Sequence, residues 1–150
     1  MSLISVACSG EARLGGNVPQ GESPISDLDV CRTETNKYRA TLGLPPLERN
    51  DALEAFAIEG AKQDTQNGQA HGHFGRQDPL VAFAENECPS FLGWTLHNDV
   101  RTTIADCIEA FYKEGEGGGH YENLMGDYKN VACGVYLTDD GGITITQDFN

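Results

Sequence analysis

Apolar residues recur at helical spacing three times along this chain before β-branched runs take over. Leu28, Cys31, Thr35, Tyr38 and Leu42 share one helical face, and Gly43 with the Pro45-Pro46 pair stops that helix. A second helix is capped by Asn50 or Asp51 and carries Leu53, Phe56, Ala57, Gly60, Ala61 and Asp64 at period 3.6 as far as Gly68. The third runs from Asn98 or Asp99 to about Glu114 on a stripe of Val100, Ile104, Cys107, Ile108 and Phe111. Glu114 lies three residues after Phe111 and seven after Cys107, so the stripe ends in a carboxylate expected to face inward. An inward acid needs a donor, a cation or a solvent-filled cleft. The glycines that follow end the helix and let His120 swing back toward Glu114.

Beyond His120, Val131–Leu137 and Ile143–Gln147 flank the turn Asp139-Asp140-Gly141-Gly142, which predicts a β-hairpin. Between Gln69 and His97 no period is sustained and breakers are frequent, which predicts a long irregular connection. Long ordered loops tend to carry function, and this one holds His71, His73 and Glu85. Helices first and a hairpin last place the chain in the α+β class. Residues 1–26, rich in Gly, Pro, Ser and Glu, are expected to form a flexible leader, with the folded domain over 27–150.

The chain has 150 residues, enough for one domain with a real core, and a net charge of -13, which argues against a nucleic-acid partner. No long apolar run is present to form a transmembrane segment. Cys8, Cys31, Cys88, Cys107 and Cys133 lack the paired short spacings of a zinc ribbon, which points to disulfides and an oxidising compartment. The odd cysteine is expected to be Cys8, whose Ser5-Val6-Ala7-Cys8-Ser9-Gly10 setting loosely resembles a bacterial lipoprotein cleavage and acylation site. It is a candidate lipid anchor, and a free thiol in the leader is an equal alternative.

Four pieces carry candidate chemistry: His71 in Ala70-His71-Gly72-His73-Phe74, Glu85 in Ala84-Glu85-Asn86-Glu87-Cys88, Glu114 in Phe111-Tyr112-Lys113-Glu114, and His120 in Gly118-Gly119-His120-Tyr121. With Asn36-Lys37-Tyr38-Arg39, Gly43-Leu44-Pro45-Pro46-Leu47 and Val131-Ala132-Cys133-Gly134-Val135-Tyr136, their order resembles the CAP superfamily, the SCP-like domains related to cysteine-rich secretory and plant pathogenesis-related proteins, in its bacterial form. The resemblance implies a three-layer α-β-α sandwich and a secreted, periplasmic or cell-surface location. It also implies a cleft whose two histidines and two glutamates hold a divalent ion in some members. By motif the tetrad is His71, Glu85, Glu114 and His120, with His73 as the alternative to His71. Two departures change the cleft wall and the C-terminal ending: Glu122-Asn123-Leu124-Met125-Gly126 follows His120-Tyr121, and the chain closes on Gln147-Asp148-Phe149-Asn150. The pairing expected is Cys88 with Cys107. Cys31 and Cys133 either form the second pair or stay as two buried apolar thiols.

Two neutral imidazoles and two carboxylates suit zinc or another divalent cation, weakly held if the glutamates only accept hydrogen bonds from the rings. The same four residues serve equally well as a hydrogen-bonded network shaping the cleft. With Glu85 or Glu114 as general base they would form a metal-dependent hydrolase. No His-Glu-x-x-His helix, Gly-x-Ser-x-Gly elbow or cysteine with an evident base accompanies them, so the sequence favours binding of a lipid-like or peptide ligand over turnover. Phe91, Leu92 and Trp94 either plug the core or rim the cleft for such a ligand.

Overall fold

The computed structural model describes residues 25–150, so Cys8 lies outside the described residues. Four helices and three strands follow in the order α1 (Ile25–Ala40), α2 (Asp51–Asn67), β1 (Ala84–Cys88), α3 (Val100–Lys113), α4 (Gly119–Met125), β2 (Val131–Leu137) and β3 (Ile143–Phe149). Of the alternative caps, Asn50 starts α2 by accepting from the Leu53 amide at 3.0 Å, and Asp99 starts α3 by accepting from the Thr102 amide at 2.7 Å.

β3 is the middle strand of an antiparallel sheet ordered β1-β3-β2. Its register pairs Glu85 with Asp148 and Asn86 with Gln147 on one side, and Cys133 with Gln147 and Gly134 with Thr146 on the other. Because successive strand residues point to opposite faces, the register sorts the sheet into two unlike surfaces. One carries Asn86, Cys88, Val131, Cys133, Val135, Ile145, Gln147 and Phe149 and packs against α1 and α3 through Leu28, Ile104, Ile108 and Phe111. The other carries Glu85, Glu87, Thr146, Asp148 and Gly134 and is covered by α2, where Thr146 Oγ1 donates to the Ala57 carbonyl at 2.7 Å. The result is the expected α-β-α sandwich. Each disulfide pins a helix to a strand, Cys31 of α1 to Cys133 of β2 and Cys88 of β1 to Cys107 of α3.

The structure corrects two local expectations and adds one helix. The stretch expected to be irregular contains β1, whose five residues Ala-Glu-Asn-Glu-Cys are all buried and include no β-branched side chain to announce a strand. α4, seven residues long, is too short to show a period, and it begins one residue before His120. Leu42 falls beyond the end of α1 and is 56% exposed. Trp94 packs partly buried against the main core, while Phe91 and Leu92 are exposed beside it.

Arg39 is 2% exposed and needs no acid, because it donates to three carbonyls: Pro45 at 3.1 Å, Leu124 at 2.9 Å and Gly126 at 2.8 Å. The guanidinium fork thus ties α1 to the turn after it and to the end of α4.

Two outcomes test this architecture. Cys31–Cys133 spans 102 residues and Cys88–Cys107 spans 19, which in the chain-entropy account contribute about 4.7 and about 3 kcal/mol. Urea unfolding of the two double-serine variants should show the larger loss for the long loop, and the reverse order contradicts this account. A Cβ at Gly134 would overlap the Ala57 carbonyl of α2, so Gly134→Ala should cost about 3 kcal/mol, the upper end for overpacking against rigid neighbours. An unchanged denaturation midpoint would show that α2 does not sit this close.

Candidate functional site

The four residues singled out from the sequence come together. His71, Glu85, Glu114 and His120 line one open pocket of about 410 Å³, completed by Gly119 and Asn123. They arrive from the turn after α2, from β1, from the end of α3 and from the first turn of α4. Two His-Glu pairs result.

In the first pair, His71 Nδ1 lies 2.9 Å from Glu85 Oε1, and the His71 amide donates to Glu87 Oε2 at 2.7 Å. His71 adopts a φ of 58°, a left-handed conformation uncommon for a side-chain-bearing residue, which turns both its amide and its ring toward β1. The imidazole is 43% exposed, whereas both glutamate side chains are fully covered. Hydrogen bonding to Glu85 holds the His71 imidazole above the ordinary histidine range.

In the second pair, His120 Nδ1 lies 2.6 Å from Glu114 Oε1 and the His120 amide donates to Glu114 Oε2 at 3.1 Å. The hydrogen bond from His120 holds the Glu114 carboxyl below its usual range. Glu114 does not continue the buried stripe. α3 ends at Lys113, and the Glu114 side chain is 38% exposed, bending over the glycines to reach His120. The His120 ring packs on Phe111 at 4.7 Å between centroids. In both pairs Nδ1 faces a carboxylate, which assigns the proton to Nδ1 in the neutral ring and leaves Nε2 with a lone pair.

A buried polar relay fixes the two halves relative to each other. Asn86 Nδ2 donates to the His120 carbonyl at 3.1 Å and to Gln147 Oε1 at 3.0 Å, and Asn123 Nδ2 donates to Asn86 Oδ1 at 2.9 Å. Gln147 Nε2 then donates to Thr35 Oγ1 at 2.7 Å, carrying the relay to α1.

His73, the alternative to His71, takes a different place. Its amide donates to Asp64 Oδ1 at 2.7 Å, its ring lies 4.4 Å from Phe56, and it lines a separate pocket with Arg76, Gln77 and Val81. Two further acids of the site, Glu87 and Asp148, escape sequence reasoning. Glu87 sits two residues from Glu85 on the same strand face, a signal present in the sequence but unusable as long as β1 reads as loop. Burial pushes the Glu87 carboxyl up to about 7. Asp64 and Asp148 are also raised by burial, Asp148 the more, with the Glu85 charge beside it adding to the effect. Glu85 and Asp148 meet carboxyl to carboxyl, a contact that becomes a hydrogen bond only when one carries a proton. Gly60 leaves room for these groups, since a Cβ there would come 3.3 Å from His73 Nδ1 and 3.7 Å from Glu85 Oε2.

The sequence model of the cysteine-rich secretory protein family (CAP) matches residues 33–149. No curated protein matches the chain. Among solved structures, an outer surface protein from Borrelia burgdorferi is similar at 17% identity and TM-score 0.64, over 87% of this chain and 96% of that one. A cysteine-rich secretory protein from Staphylococcus aureus is similar at 20% identity and TM-score 0.54, over 84% of this chain and 40% of that one. At these identities the two likenesses establish the fold alone.

The raised carboxyls set a pH dependence of stability. Glu87 titrates near 4.5 when unfolded and about 7 when folded, so the native state holds the extra proton between those values. Stability is full below the unfolded value and lost as pH rises through about 7, by on the order of 3 kcal/mol. Raised His71, Asp64 and Asp148 act in the same sense, whereas lowered Glu114 acts only below its ordinary range. In a chelator-containing buffer the thermal midpoint should fall from about pH 5 to about pH 8, and Glu87→Gln should flatten the fall. A midpoint that rises over this interval contradicts the assignment.

Proposed function

The chain belongs to the cysteine-rich secretory protein family, and on that footing we propose that it works outside the cytoplasm as a binding module without turnover of its own. The two disulfides support the compartment, since such bridges persist where the surroundings are oxidising. A secreted or surface-attached protein fits them equally, and a lipid anchor at Cys8 would provide attachment. The folded domain on this reading spans 27–150, with α1 reaching two residues further upstream to Ile25.

The observation that carries the proposal is the pair of carboxylate-oriented imidazoles in one cleft. Each ring is held at Nδ1 and offers Nε2 to whatever enters, and every residue lining the pocket apart from Gly119 bears a polar side chain. Such a wall suits the polar backbone and side chains of a peptide segment better than an acyl chain. The exposed Phe91 and Leu92 line or adjoin a different region beside Trp94, away from the tetrad. The cleft also accepts a divalent cation such as zinc, weakly held, with His71 among its ligands. The residues fit a cation because Glu85 keeps one buried oxygen, Oε2, without a hydrogen-bond partner.

One observation favours a second reading. A carboxylate paired with an imidazole at an open pocket is placed to act as a general base, so a metal-dependent hydrolase is the alternative, with Glu85 or Glu114 as candidate catalytic residues. Both readings are tested on one sample. Wild type should enrich members of a displayed random hexapeptide library, His120→Ala should lose that enrichment, and neither peptide nor ester substrates should be cleaved with or without added zinc. Hydrolysis that disappears in Glu85→Gln would establish the enzyme instead. Enrichment unchanged in His120→Ala would remove the cleft from the binding function.

A further inference from the structure

Among the described residues, the buried side-chain atoms lacking a hydrogen-bond partner are Asp64 Oδ2, His73 Nδ1, Glu85 Oε2, Glu87 Oε1 and both oxygens of Asp148. All stand on α2, on the turn after it, or on the sheet face that α2 covers. They are overwhelmingly acceptors. Among the described residues, the ion pairs of Glu85 and Glu87 are with His71 alone, and no Lys or Arg reaches either carboxylate. Buried polar oxygens without a partner are costly whether the carboxyl is protonated or ionised, so this interior calls for a donor or a cation.

From this we infer that Glu85 and Glu87 of β1, together with His71, form a divalent-cation site in which Glu87 and not His120 completes the set. The inference rests on the cation-accepting cleft proposed above and specifies its ligands. Glu85 and Glu87 are two apart on one strand and point to the same face, and their side chains are fully buried beside the pocket wall formed by His71. One donor atom from each of the three residues lies within 4.8 Å of the others. His71 Nδ1 is 2.9 Å from Glu85 Oε1 and 3.9 Å from Glu87 Oε2. Ligands about 2.0–2.1 Å from a tetrahedral zinc stand roughly 3.4 Å apart, midway between those separations.

The second, independent feature is the unpartnered oxygen on each glutamate. Glu87 Oε2 is aimed by the His71 amide, while Glu87 Oε1 and Glu85 Oε2 have no hydrogen-bond donor, so a cation taken through both oxygens of a carboxylate would satisfy what the protein leaves open. Binding at Nδ1 gives up the Nδ1–H···Glu85 hydrogen bond of the metal-free pair, with the neutral ring carrying its proton on Nε2 instead and the ion taking the place of that proton between His71 and Glu85. One imidazole and two carboxylates select a first-row ion such as Zn²⁺ or Mn²⁺ over Ca²⁺ or Mg²⁺.

The test is calorimetric titration of the full chain with Zn²⁺ and with Mn²⁺ at about pH 7.5, above the ordinary histidine range. One site should appear in wild type, weaken at least tenfold in Glu87→Gln, and stay within twofold in His120→Ala. Glu87→Gln should fold, since it removes a buried charge, and its circular dichroism and thermal midpoint check this. The histidine-ring ¹⁵N resonances of wild type give a readout independent of any variant: Zn²⁺ should move His71 Nδ1 and leave His120 in place. Binding unchanged in Glu87→Gln overturns the inference. Binding lost in His120→Ala with a shifted His120 resonance also overturns it, but leaves the cation-accepting cleft standing with the ion between the imidazoles. No binding in wild type overturns both.

Discussion

The constraint on which this molecule turns is the pairing of β1 with the C-terminal strand. That pairing takes a segment with two glutamates and an asparagine out of solvent, all five of its residues becoming buried. Its odd-numbered glutamates then face α2 and its even-numbered residues face the disulfide-linked helices, because neighbouring strand residues cannot share a face. Everything distinctive about the cleft descends from this division. Glu85 becomes the fixed end of the His71 pair, and Asn86, its immediate neighbour, holds α4 from the opposite side of the same strand.

Apolar burial and polar satisfaction are unevenly shared between the two faces. Toward α1 and α3 the core is closed by Ile104, Ile108, Phe111, Ile145 and Phe149, and the polar side chains within it are joined in the relay from Thr35 through Gln147 and Asn86 to the His120 carbonyl. A fully satisfied relay of this kind costs little and specifies one arrangement. Toward α2 the balance is reversed, with four buried acids, Asp64, Glu85, Glu87 and Asp148, and few donors to meet them. The stability needed to tolerate that face comes from the other one and from the two disulfides, each of which joins a helix on the apolar side to a strand.

The two His-Glu pairs differ in physical character. His71 rests on carboxylates with no solvent access, where electrostatic effects are strong, while His120 and Glu114 meet at the rim with both side chains partly exposed. The inner pair is therefore suited to hold charge and the outer pair to adapt to what approaches. The inner pair has further acids, Glu87 and Asp148, behind it.

Helices α1, α2 and α3, the caps of the last two, the hairpin and the tetrad motifs are legible in the chain because each depends on local chemistry: period, cap residues, turn residues and short motifs. Helical spacing marks the buried face of α3, and motif order picks out His71, Glu85, Glu114 and His120 without knowledge of any contact. The sequence also leaves His73 beside His71, and only the turn after α2 separates them, sending one ring to Glu85 and the other to Phe56. β1 is invisible, because a strand of polar residues buried on both faces shows neither alternation nor β-branched content. The periodic pattern misplaces Glu114 because a helix stripe stops having meaning where the helix stops. Glu87 and Asp148 belong to the tertiary structure alone: strand pairing places Asp148 against Glu85, and the covering α2 excludes the water that would otherwise solvate Glu87. Burial of this kind is a property of what packs above a residue, which no local pattern encodes.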